Sequence, residues 1–244
     1  MLALTLRPDS AAPFRILCLG SHSDDIEIGC GGTILRLLSA NQNLEVVWVV
    51  FSSSKERERE ACNSAELFLK QAKQKEVIIR DFRDGFFPFE GTEIKDFFEG
   101  LKETSPDLIL THNRKDAHQD HRVIAELTWN TFRNHLILEY EIPKYDGDMG
   151  QPNVFVPIES EVCQKKVHTI MNAFTSQCHK HWFQPETFFS LMRLRGMECN
   201  APSGYAEAFF CRKLILGIDG ALVTDGEEPV SMFGDASEKG ATPR

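Results

Sequence analysis

The chain has 244 residues, 42% of them hydrophobic and 26% charged, with a formal net charge of −9. That length accommodates one α/β domain or two small ones, and the apolar fraction suffices for a real core. The acidic balance argues against a nucleic-acid backbone or an anionic membrane as the main partner; no apolar run has the roughly 18 residues of a membrane span, and the start "MLALTLRPDSAAP" lacks the order of a signal peptide.

"FRILCLG" (14–20) is an apolar run closed by glycine and predicts a buried strand. "GGTILRLLSANQ" follows with helical spacing of Ile34, Leu37 and Leu38, and "LEVVWVVFS" (44–52) is the clearest strand. A second helix starts after Ser53 or Ser54 as cap and keeps Ala61, Ala65, Leu69 and Ala72 on one face. "EVIIRDF" (76–82) predicts a third strand, "GTEIKDFFEGLKETSP" a helix that Pro106 helps close, "DLILTH" (107–112) a fourth strand and "HRVIAELTWNTFRN" a fourth helix. Strands and helices in alternation predict a Rossmann-like α/β fold: a mainly parallel sheet, right-handed crossovers and helices on both faces. After Asn134 the strands "LILEYEIP", "NVFVPI" and "YAEAFFCRKLIL" and the helix "SEVCQKKVHTIMNAF" form a C-terminal β-containing elaboration of the same domain, 1–218; the Gly-, acid- and Pro-rich tail 219–244 is expected to pack poorly. The seven cysteines form no CxxC pair, so free thiols in a reducing cytoplasm are expected.

Ligands of such sheets bind beyond the carboxyl ends of the strands, and two polar clusters lie there. In "LCLGSHSDDIEIGCGGT" (17–33), His22 and Asp25 are spaced so that an imidazole nitrogen and a carboxylate oxygen can meet at one ion, at about 2.0–2.2 Å from each. His121, from "HNRKDAHQDHR" (112–122), could supply a third ligand from the neighbouring strand end. Two histidines and one carboxylate suit hydrolytic zinc, and such donors also accept iron, manganese or cobalt. Asp24, beside Asp25, is placed as general base. The glycines 29, 31 and 32 are expected to allow close backbone approach and to open the next helix with free N–H groups. His118 is expected near the metal as a protonated, oxyanion-stabilising acid, with Asp120 holding the imidazole and raising its pKa. His112 and Asp116 read as plain loop residues. Taken singly, each cluster could also be a polar loop and helix cap. "CHKH" (178–181) reads as a surface or rim segment.

"HSDDIEIGCGGT" (22–33) and "HQDHR" (118–122) resemble the PIG-L/LmbE-like family of metal-dependent N-deacetylases, which carries a His-Pro-Asp-Asp-Glu segment with a Gly-Gly-Thr helix start and later a His-x-Asp-His-Arg segment. "REREA" (57–61), "RDGFFP" (83–88), "RLRGMEC" (193–199) and "YAEAF" (205–209) extend the likeness over roughly residues 14–216. The resemblance implies His22, Asp25 and His121 as zinc ligands, Asp24 as base, His118 with Asp120 as the acid and electrostatic pair, Arg57 as a substrate contact and Tyr205 as an oxyanion contact. Ser23 stands where the family has Pro and Ile26 where it has Glu, which touches neither the ligands nor the base. The expected function is zinc-dependent removal of an N-acyl group, foremost acetyl, from a small amino sugar or sugar conjugate, with no nucleic acid and no integral membrane segment involved and self-association left open. The alternative is a non-catalytic metal- or sugar-binding protein on the same scaffold, which has no need of Asp24.

Overall fold

The computed structural model describes residues 3–6 and 12–215; the tail expected from Asp219 onward lies outside the described residues. Every helix and strand described lies within Met1–Lys213.

The strands are β1 (Phe14–Gly20), β2 (Leu44–Val50), β3 (Gln74–Ile79), β4 (Leu108–His112), β5 (Leu136–Tyr140), β6 (Val154–Pro157) and β7 (Ala206–Phe210). The helices are α1 (Asp25–Ala40), α2 (Lys55–Phe68), α3 (Gly91–Leu101), α4 (Gln119–Thr131), α5 (Ser160–Ala173) and α6 (Pro185–Glu198). They build one seven-stranded sheet in the order β3-β2-β1-β4-β5-β7-β6. The first five strands are parallel, and β7 is antiparallel to both β5 and β6. The α/β fold is therefore mainly parallel, with a C-terminal antiparallel addition at one edge.

Side chains alternate along a strand, so one strand feeds two cores. Ile16, Cys18, Val46 and Trp48 join a core with Cys30, Ile34 and Phe68 of α1 and α2 and Ile170 and Met192 of α5 and α6. Leu17, Leu19, Val49 and Phe51 face the other way, against Ile94 and Phe98 of α3 and Ile124 of α4. Helices thus cover both faces, which is why the central strands read as continuous apolar runs. α6 carries apolar residues on several sides and gave no clean helical period to read. Among the described residues no helix is long and apolar enough to cross a membrane.

Candidate active site

The strand order turns around between β1 and β4: the chain steps outward from β1 through β2 to β3, and from β4 to β5 on the other side. A crevice opens beyond the carboxyl ends at such a switch point. The segment after β1 carries His22, Asp24 and Asp25, and the segment after β4 carries Asp116, His118, Asp120 and His121.

α1 begins at Asp25, not at the Gly-Gly pair, and the Asp25 carboxylate in its first turn complements the helix dipole. The glycines lie inside the helix. A Cβ on Gly29 would come within 2.2 Å of the Tyr140 ring, and one on Gly32 within 2.9 Å of Glu207 Oε1. Close approach is thus their role. The expectation of free N–H groups fails, because Gly32 and Thr33 donate theirs to Glu207 at 2.8 and 2.7 Å. Lys166 pairs with the same carboxylate at 2.6 Å and donates to the Ile28 carbonyl at 2.7 Å.

His22 Nδ1, Asp25 Oδ2 and His121 Nε2 form a triangle. The nitrogens are 3.2 Å apart, and the oxygen lies 3.4 Å from His22 and 3.5 Å from His121. Donors about 2.0–2.1 Å from one tetrahedral ion lie about 3.4 Å from each other. The outward nitrogens face carboxylates: His22 Nε2 lies 3.1 Å from Asp84 and 3.3 Å from Asp120, and His121 Nδ1 lies 2.9 Å from Asp116. With the ring protons drawn to those outer partners, the inner nitrogens present lone pairs toward the Asp25 oxygen, a donor set that fits a divalent cation. The described residues also bring nitrogens of His22, His118 and His121 within 4.8 Å of one another, and likewise the ligand atoms of Asp25, His112 and His121. His121→Ala is expected to strip most of a bound divalent ion, read by elemental analysis after dialysis; full retention would remove His121 from the ligand set.

Burial opposes charge on Asp25, yet His121, His112 and His22 beside it hold its carboxyl well below the usual range. Burial likewise opposes charge on His22, but Asp25, Asp120 and Asp84 raise it well above an ordinary histidine, so a cation taken up at Nδ1 displaces a proton. Glu27 is fully buried, and burial pushes its carboxyl up to about 8, so it adds no third negative charge beneath the pair of aspartates at neutral pH.

Asp24 occupies the N-cap position of α1, but its side chain makes no cap hydrogen bond. Oδ1 lies 2.8 Å from Arg57 Nη2, and the buried Oδ2 has no hydrogen-bond partner among the described residues. Arg57, expected to touch substrate, thus touches Asp24, and both line the cleft, which measures about 190 Å³. Asp120 departs from expectation. Its carboxylate accepts the Gly85 N–H at 2.6 Å and the Phe87 N–H at 3.2 Å and faces His22, not His118. The reason is the turn after β3, which folds over the start of α4. His118 instead caps α4, its Nδ1 accepting the Asp120 N–H at 3.2 Å. Its pKa is lowered, by burial first and then by His121 and His22, contrary to the raised value expected. Tyr205 is not brought to the cleft: its ring packs 6.3 Å from Phe189, in a separate depression beside α6, because β7 sits beyond β5.

The plain-loop reading of His112 and Asp116 also fails. His112 is buried, with the Ser21 N–H and Asp25 Oδ2 within 3.2 Å of its Nε2, and Asp116 orients His121. Asp84, Lys144, Lys180 and Trp182 complete the walls. Only Asp84, in the noted "RDGFFP", and the "CHKH" rim segment left any sequence signal.

Residues 17–132 match the family model of PIG-L, GlcNAc-PI de-N-acetylase, so the family resemblance holds. No curated relative matches. The fold is similar to that of N,N'-diacetylchitobiose deacetylase from Pyrococcus horikoshii, with 20% identity over 81% of this chain and 83% of that one and a TM-score of 0.63. It is equally similar to 4-carboxy-2-hydroxymuconate hydratase from Pseudomonas putida KT2440, with 18% identity, 85% and 100% coverage and a TM-score of 0.66. The zinc-inhibited form of teicoplanin deacetylase aligns at 14% identity, 81% and 97% coverage and a TM-score of 0.61.

Proposed function

We propose that this chain, with its PIG-L family match over residues 17–132, is a zinc-dependent hydrolase that removes an N-acyl group, foremost acetyl, from a small amino sugar or sugar conjugate. The observation that carries the reading is the unpartnered Asp24 Oδ2 in the cleft that also holds the His22–Asp25–His121 triangle. A hydratase shares the fold, so the fold alone does not select the reaction; the PIG-L match over residues 17–132 supports hydrolysis, and a proton acceptor beside a cation site is suited to activating the water. The free state of all seven cysteines supports a reducing, cytoplasmic setting.

His22, Asp25 and His121 would hold the metal, which supplies positive charge that polarises an acyl oxygen and makes water more acidic. Asp24 accepts the proton of the attacking water on Oδ2 while Arg57 holds Oδ1 in place. Water oxygen bonds to the acyl carbon, the C–N bond breaks, and the proton carried by Asp24 passes to the departing nitrogen. Because Nδ1 of His118 accepts the Asp120 N–H, the proton of the neutral ring sits on Nε2, ready to donate a hydrogen bond to the developing oxyanion. His118 thus acts as a neutral donor in place of the imidazolium read from the sequence.

The test is release of free amine from a panel of N-acetylated sugars and conjugates, lost on chelation and restored by zinc, with iron, manganese and cobalt as the comparison. The lowered pKa of His118 sets the sign of its pH effect. The ring stays neutral at neutral pH and becomes charged only in acid, so activity falls on the acid side and no basic limb comes from His118. A basic limb that vanishes in His118→Ala would reinstate the imidazolium acid. Metal-loaded protein that releases amine from none of the panel would leave the non-catalytic binding scaffold as the reading.

A further inference from the structure

We propose that Lys180 and Trp182, on the outer wall of this cleft, select an amino-sugar substrate that carries an anionic group, a phosphate or a carboxylate, away from the acyl nitrogen. This rests on the deacetylase reading for the reaction, though not for binding.

The cleft has three basic side chains besides histidine, and two are already paired: Arg57 with Asp24 at 2.8 Å, and Lys144 with Asp116 at 2.9 Å and Asp148 at 2.6 Å. Lys180 has no carboxylate within ion-pair distance among the described residues; its ammonium lies 5.7 Å from the centroid of the Trp182 ring. The platform is held in place. Trp182 packs edge-on against Phe183 and Phe188, with centroids 5.6 and 6.5 Å away, while the Lys180 N–H bonds the Gln177 carbonyl at 2.9 Å and the Phe183 N–H bonds the Lys180 carbonyl at 3.1 Å. Both side chains are half-buried, so they stay accessible without being loose.

Charge then sorts the two ends of a ligand. Deeper in the cleft Arg57 and Lys144 already face carboxylates, so neither is free to hold a second anion. A chain of net charge −9 repels an anion at long range. The unpaired ammonium on the wall is where a fixed anion gains a charge-assisted hydrogen bond, and the indole face beside it offers a surface for a sugar ring.

Three probes test this with zinc-loaded protein: N-acetylglucosamine 1-phosphate, an N-acetylglucosamine glycoside ending in a carboxylate, and neutral methyl N-acetylglucosaminide. In Lys180→Glu the kcat/KM of the anionic probes relative to the neutral one is expected to fall about tenfold or more, mainly through KM. Trp182→Ala is expected to weaken all three alike. The phosphate and carboxylate arms show which anion is preferred. Binding of the same probes by calorimetry gives a readout independent of turnover. If no probe is hydrolysed while the anionic ones bind better than the neutral one and lose that advantage in Lys180→Glu, the subsite stands and the deacetylase reading falls. An unchanged ratio of anionic to neutral affinity in that variant overturns the subsite.

Discussion

Asp24→Asn is expected to lower kcat by about 10²–10⁴-fold while the protein keeps its metal. The side chain sits at the N-cap of α1 without capping it, so its replacement removes no helix-capping bond. Asparagine is nearly isosteric, so Oδ1 keeps its place 2.8 Å from Arg57 Nη2, although the ion pair loses its negative partner. At Oδ2 an amide nitrogen cannot take a proton from water. Because the group acts on the proton in the transition state, KM is expected to move much less than kcat. Metal content measured on the same preparation separates lost chemistry from a lost site. Near-normal turnover in a metal-replete Asp24→Asn sample would end its assignment as base.

The largest effect on stability is expected at a pair far from the chemistry, Lys166 and Glu207. Both are buried, their charges are 2.6 Å apart, and Glu207 also takes the N–H groups of Gly32 and Thr33 in α1. Removing one member of such a pair leaves the other charge buried without its counter-ion, at a cost of about 3–5 kcal/mol. Lys166→Met is therefore expected to lower the urea midpoint sharply. Lys75→Ala, which breaks the exposed pair with Glu66, is expected hardly to register. The double replacement Lys166→Met with Glu207→Leu removes both charges and should recover part of the loss, though two α1 N–H groups then lack their acceptor. A Lys166→Met midpoint within the scatter of the Lys75→Ala one would mean that water reaches Glu207 readily.

β1 and β2 were legible in the sequence because a strand covered on both faces is apolar at every position, and α2 because Ser54 marks its start, accepting the Arg57 N–H. The His22–Asp25–His121 triangle was legible for a similar reason. His22 and Asp25 lie three residues apart at the end of a strand, and His121 follows another strand. Parallel strands bring their carboxyl ends to one edge, so local sequence together with sheet topology decides that these residues meet.

What the tertiary structure alone decided is pairing between loops. Asp120 faces His22 because the turn after β3 lays the Gly85 and Phe87 N–H groups on its carboxylate, and nothing local distinguishes that from a bond to His118. Tyr205 and Glu207 belong to one short motif, and two-residue spacing would put both on one face of a strand, yet Tyr205 precedes β7 and packs on Phe189, while Glu207, inside β7, reaches α1. Which of two neighbouring polar residues reaches a partner more than a hundred positions away depends on strand order and on the direction in which β7 enters the sheet. Both are settled by how the whole core packs, and hydrophobic periodicity carries no record of either.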